Sequence, residues 1–190
     1  MCGIFGVITT EKGLPPEEVK KITQNLLEIS ESRGKESSGI TVIGQDEIKV
    51  YKSAKPAHIL MASDEFKKMF QGKIRGVIGH ARLVTNGSLE DNRNNQPVIK
   101  DKIVGIHNGI IVNVDSLWEE HKGLKRNYEV DTEVILSLVR KYFARTHNLS
   151  EAVKSTFSQI EGAASIALVF EDINALTLAT NTGSLYIAAG

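Results

Sequence analysis

The chain has 190 residues, 41% of them hydrophobic and 24% charged, with 23 basic residues balanced by 23 acidic ones. That composition fits a globular protein with a full core, and the balance leaves no net field to draw in nucleic acid or an anionic membrane surface. The longest apolar stretches, such as residues 162–170, are too short to span a bilayer and the N-terminus lacks a signal-peptide pattern, so a cytoplasmic protein without membrane contact is expected.

Residues 3–9 are short, apolar and β-rich, which predicts a buried strand starting almost at the first residue. Pro15-Pro16-Glu17-Glu18 then gives a helix start, with proline at the first turn and acids at the positive end of the dipole. Val19, Ile22, Leu26, Leu27 and Ile29 keep a helical spacing to about Ser30. Residues 39–43 and 48–51 flank the polar turn Gly44-Gln45-Asp46-Glu47, a hairpin pattern, and a short helix is expected over 64–70. A strand over 77–83 leads into 84–96, a run dense in Asn, Asp, Ser and Gly that reads as a long polar loop, of a length typical of functional lids or disordered segments.

Residues 103–107 and 110–112 bracket Asn108-Gly109, a dipeptide that predicts a tight turn. Helices are expected over 114–120, 132–143 and 149–160, then strands over 164–170 and 175–180, with another beginning over 185–188. Strand runs at both ends enclose helical runs and no repeat is visible, so a mixed α+β layered fold is expected. The last residues stop within an apolar strand pattern, which suggests a domain, residues 1–190, cut from a longer chain.

The single cysteine excludes an intrachain disulfide, and the five histidines are scattered without ligand spacing, so neither a metal nor a cofactor is expected. A thiol needs a base or a positive environment to act as a nucleophile, since its ordinary pKa is about 8.5. Removal of Met1 would give Cys2 an α-amine of pKa near ~8, suited to relaying the thiol proton at neutral pH. Composition alone favours the reading of Cys2 as a small core residue that happens to be second.

The ordered motifs Cys2-Gly3-Ile4-Phe5-Gly6, Arg33-Gly34-Lys35-Glu36-Ser37-Ser38-Gly39, Gly79-His80-Ala81-Arg82-Leu83-Val84-Thr85-Asn86-Gly87, His107-Asn108-Gly109 and Asp131-Thr132-Glu133 change that balance. Together they resemble the class II glutamine amidotransferases, over essentially the whole chain. The resemblance implies the N-terminal-nucleophile hydrolase fold, a four-layer αββα sandwich. It implies Cys2 as the nucleophile toward the carboxamide of L-glutamine, and Asn108 and Gly109 as the oxyanion hole, through the Asn108 side-chain amide and the Gly109 N–H.

By the same resemblance Arg82 binds the substrate α-carboxylate and Asp131 its α-ammonium, with Thr85 a further substrate contact. Read alone, Asp131 is an N-cap for the helix starting at Thr132. Arg33 and Ser37 are expected as buried support for the N-terminal strand, and His80 and His107 as structural residues. The implied partner is a synthase or acceptor domain that receives the ammonia.

Leu83 and Asn86 depart from the aromatic and histidine of the glucosamine-6-phosphate synthase branch. Glu36 stands where many members have Asp, Asn95-Gln96-Pro97 resembles amidophosphoribosyltransferase, and His107-Asn108-Gly109-Ile110-Ile111 leans back to the synthase type, which leaves the subfamily open. The competing expectation is a domain of the same fold that senses glutamine without turning it over, with Met1 retained.

Overall fold

The computed structural model describes residues 2–10, 12–83 and 87–189. Met1, Val84, Thr85 and Asn86, on which several expectations fall, lie outside them. The chain forms two compact units, residues 1–98 and 99–190.

The first unit is a four-stranded sheet of order β1-β4-β2-β3 with helices packed on it, built from β1 (Gly3–Ile8), α1 (Pro16–Glu31), β2 (Ser37–Gly44), β3 (Ile48–Ser53), α2 (Ala57–Ala62), α3 (Asp64–Lys68) and β4 (Ile74–Arg82). β4 runs antiparallel to both β1 and β2, and β3 antiparallel to β2. α1 begins behind Pro15 with Glu17 and Glu18 in its first turn, and buries Val19, Thr23, Leu27 and Ser30 along one stripe. That stripe lies on β1 and β4. Val19 and Leu27 join Ile40, Val42, Phe66, Ile74 and Val77 in one core cluster, with Phe5 and Val7 against it.

α2 was not expected from the sequence. Its start has no side-chain cap of its own. Instead Glu31, at the end of α1, accepts the backbone N–H of His58 at 2.7 Å and pairs with His58 Nδ1 at 2.9 Å. A cap supplied by another helix leaves no local sequence signal.

In the second unit the sheet order is β5-β6-β7-β8, with β5 (Val98–Lys100), β6 (Ile103–Ile111), α4 (Val114–Glu120), α5 (Thr132–Thr146), α6 (Leu149–Phe157), β7 (Gly162–Phe170) and β8 (Leu176–Thr180). β7 pairs antiparallel with both β6 and β8. α5 packs on β6 and α6 on α5. Residues 132–139 of α5 are buried on every side.

Two expectations in this half are corrected. Asn108-Gly109 is not a turn, because β6 runs straight through it, with Asn108 opposite Ser165 and Gly109 opposite Ala164. The flanking apolar runs are one strand, and glycine here meets a mid-strand need rather than a hairpin. Residues 185–188 form no strand: Tyr186 is 93% exposed and Ile187 82%, so they bury no face to hold a ladder in place.

Candidate functional site

In the first unit the sequence-predicted residues are set by register. Gly3 pairs with Ala81 and Ser37 with Arg82, so one further step places Cys2 beside Arg82 at the end of β4. Paired residues share a face of the sheet. Gly3 contacts Ser30 of α1, so the opposite face carries Cys2, Arg82 and Ser37 in one row across β1, β4 and β2.

Cys2 is 8% exposed, and its Sγ lies 3.5 Å from the carbonyl oxygen of Leu83. Arg33 Nε donates to the Cys2 carbonyl at 3.0 Å. Arg33 is exposed, where a buried residue was expected, while Ser37 is fully buried. The Ser37 hydroxyl has no hydrogen-bond partner among the described residues.

Arg82 is 2% exposed. Its Nη1 donates to Asn95 Oδ1 at 2.6 Å and its Nη2 to the Gly87 carbonyl at 3.4 Å. Within residues 87–96 the chain is thus partly ordered and buried. Residues Asn92–Asn94 form a 3₁₀ turn, and Asn94, Asn95 and Gln96 are buried. The sequence assigns Asn95 no role; its one sign is the density of asparagines in a segment followed by proline.

In the second unit Asn108 and Gly109 are half-buried neighbours on β6. Gly105 meets Leu136 of α5, so by alternation Asn108 points to the face away from α5. Among the described residues the Asn108 amide carries no hydrogen bond. Gly109 has φ +152°, and a Cβ there would sit 1.8 Å from the Ala163 carbonyl oxygen. Only glycine fits both the torsion and the approach.

Asp131 occupies the N-cap position of α5, but its side chain makes no capping bond. It turns instead to β6, where its Oδ2 accepts the Ile111 N–H at 3.0 Å and its Oδ1 lies 3.5 Å from His107 Nδ1. His107 is 1% exposed, and its other ring nitrogen lies 3.3 Å from the Ala163 carbonyl oxygen. Its place in the fold is structural, tying β6 to β7 and to the start of α5.

Glu133, two residues on, was also quoted without a role. It is 0% exposed, accepts the backbone N–H groups of Asn127 and Tyr128 at 2.8 Å each, and pairs with Lys100 Nζ at 2.9 Å. Lys100 also donates to the Lys125 carbonyl at 2.6 Å. The pair fastens the connection that delivers Asp131.

Among the described residues no group of three or more His, Cys, Asp and Glu could hold a metal ion, and no helix is long and apolar enough to cross a membrane.

Residues 80–189 match a family described as a glutamine amidotransferase domain. The chain is 32% identical to the glutamine–fructose-6-phosphate aminotransferase (isomerizing) of Pyrobaculum aerophilum, over 100% of this chain and 31% of that protein. It is 34% identical to the amidophosphoribosyltransferase of Methanocaldococcus jannaschii, over 90% of this chain and 36% of that protein. It therefore spans about a third of the length of these curated relatives. The glutamine phosphoribosylpyrophosphate amidotransferase of B. subtilis, solved with ADP and GMP, superposes with a TM-score of 0.69 at 22% identity, over 95% of this chain and 37% of that one. The fold expected from the sequence, α+β of the N-terminal-nucleophile hydrolase type, is the fold of these structures.

Proposed function

We propose that this chain, which belongs to the glutamine amidotransferase domain family as a class II enzyme, hydrolyses L-glutamine through a glutamyl thioester on Cys2 and passes the ammonia to a synthase domain. Once Met1 is removed, the α-amine of Cys2 takes the thiol proton. The sulfur attacks the carboxamide carbon of glutamine, and the Asn108 amide and Gly109 N–H stabilise the oxyanion. Collapse of the intermediate breaks the C–N bond, the amine returns its proton to the leaving nitrogen, and ammonia departs. Water then attacks the thioester, releasing glutamate and restoring the thiol.

Arg82 pairs with the α-carboxylate and Asp131 with the α-ammonium. Thr85 is a further contact, and Arg33 and Ser37 support the nucleophile's strand. The observation that carries this reading is the register that sets Cys2 beside Arg82 on one face of the first sheet, with Arg33 bonded to the Cys2 carbonyl. A nucleophile and a carboxylate-binding cation in adjacent positions suit an amino-acid amide as substrate.

The acceptor half of the proposal is supported by the names of the relatives, an aminotransferase of fructose 6-phosphate and a phosphoribosyltransferase. Met-processed protein incubated with glutamine should release glutamate and ammonia, and Cys2→Ala should release none. Equal release by both proteins would sink the thioester mechanism. Glutamine binding without turnover, in protein that retains Met1, would favour the sensing role.

A further inference from the structure

We propose that Lys52 is a positioning residue for substrate selectivity: its ammonium holds the 93–97 segment, the segment fixes Asn95, and Asn95 aims Arg82 at the α-carboxylate of the substrate. This inference rests on the reading of Arg82 given under Proposed function.

Lys52 lies on β3 opposite Gly39 of β2. Gly39 is two residues from Ser37, so Lys52 shares the sheet face that carries Cys2, Ser37 and Arg82. The 93–97 segment crosses this face directly over Gly39, where a Cβ would come 2.3 Å from the Gln96 carbonyl oxygen and 2.8 Å from Pro97 Cδ. The absent side chain leaves the backbone of the segment within reach of Lys52.

Three carbonyls meet the ammonium there: Asn95 at 2.6 Å, Pro97 at 2.9 Å and Arg93 at 3.4 Å. An ammonium has three N–H donors and no acceptor, so donors and carbonyls match in number. The same residue's backbone carbonyl accepts from Asn92 Nδ2 at 3.1 Å, giving the segment a second tie to β3.

Asn95 transmits the constraint. It is 0% exposed, and its Nδ2 donates to the Leu89 carbonyl and to Asn92 Oδ1, each at 3.1 Å. With its NH2 committed, its Oδ1 must face the other way, where it accepts Arg82 Nη1 at 2.6 Å. A guanidinium fork recognises a carboxylate only in a fixed plane. Losing the hold on Asn95 therefore loosens the plane of Arg82 by removing its shortest described hydrogen bond.

The ammonium is kept under strain of charge. Burial penalises it, the Arg82 charge repels it and Asp91 attracts it, and the balance leaves its pKa at about 8, so it is protonated at neutral pH.

Cys2→Ala protein, which should bind substrate without turnover, is titrated by ligand-observed NMR with L-glutamine and with 4-aminobutanamide, the same amide without the α-carboxylate. Lys52→Met should weaken L-glutamine about tenfold, the size of one charge-assisted hydrogen bond, and leave 4-aminobutanamide within about twofold. Asn95→Ala should do the same, and the double variant should be no weaker than Asn95→Ala alone, because both act through one contact. Where K52M does not fold, by far-UV circular dichroism, Lys52→Gln takes its place.

L-glutamine weakened less than about twofold, both ligands weakened alike, or additive losses in the double variant would each overturn the inference. Cys2→Ala protein that binds no L-glutamine overturns both this inference and the glutamine reading. Tight binding by Cys2→Ala with no turnover by the Met-processed parent overturns the catalytic reading alone.

Discussion

Replacing Glu133 by Gln probes how the second unit fixes the connection that carries Asp131. The carboxylate receives three donors, the N–H groups of Asn127 and Tyr128 and the Lys100 ammonium, at 2.8 to 2.9 Å, with side-chain exposures of 1% for Glu133 and 6% for Lys100. A neutral amide offers one oxygen in place of two, so at least one part-buried N–H loses its acceptor, at about 1 kcal/mol. Lys100 is left as a buried charge without its counter-ion, and breaking such a pair costs about 3–5 kcal/mol. Partial compensation by the remaining amide oxygen and the Lys125 carbonyl puts the expected loss near ~4 kcal/mol. For a chain of this size that is a drop in Tm of roughly 10 °C.

Urea unfolding of Glu133→Gln, Lys100→Met and the double variant measures it. The double variant removes both charges, so it should lose less than the sum of the single changes by at least ~2 kcal/mol. A single-variant loss below ~1 kcal/mol, or strict additivity, would refute a buried pair under mutual dependence.

Gly109→Ala places a methyl group 1.8 Å from the Ala163 carbonyl oxygen at φ +152°, so β6 must shift and glutamine turnover should fall by about 10²-fold or more; unchanged kcat in steady-state assays contradicts this. Hydrogen bonds from the Arg93 side chain, then its backbone N–H, lower the Asp91 carboxyl from 3.8 to about 2. A depressed carboxyl stabilises the fold above its ordinary pKa and loses that contribution as pH falls from about 4 toward 2, so Asp91→Asn should flatten that acid limb, and an NMR titration midpoint near 3.8 for Asp91 refutes it. Burial first, with repulsion from Arg82, lowers Lys52 from 10.5 to about 8. The native chain sheds that proton first, the unfolded chain binds more protons in between, and this residue's contribution to stability rises with pH across the window; Lys52→Met should remove that slope in urea titrations at pH 8 and pH 10. Phe66→Ala, at a site 0% exposed with its ring 5.1 Å from Phe70, should cost about 3–5 kcal/mol in urea unfolding, and a loss under ~1 kcal/mol would contradict the packing.

Sequence and structure agree where one local pattern decides the outcome. The stripe Val19, Leu27 and the prolines ahead of it specify α1, and α4 covers the expected residues 114–120. They part where a distant group decides. α2 takes its cap from Glu31, and Asp131 gives up its own helix to bond Ile111. Asn108-Gly109 carries the chemistry of a turn, yet β7 provides a full set of partners on one side and the strand continues.

The candidate site divides in the same way. Cys2, Arg33, Arg82, Asn108, Gly109 and Asp131 are proposed from the order of short motifs. Lys52, Lys100 and Asn95 were not, because each works on backbone carbonyls or on one neighbouring side chain. Such a role has no spacing rule to announce it.

The two ties from the 92–97 segment to Lys52 also matter for how copies of the molecule meet. β3 ends the first sheet, and an outermost strand offers its unpaired carbonyls and amides to any neighbouring chain. At Lys52 the carbonyl is already taken by Asn92. The segment that meets Arg82 through Asn95 thus also covers one stretch of that edge.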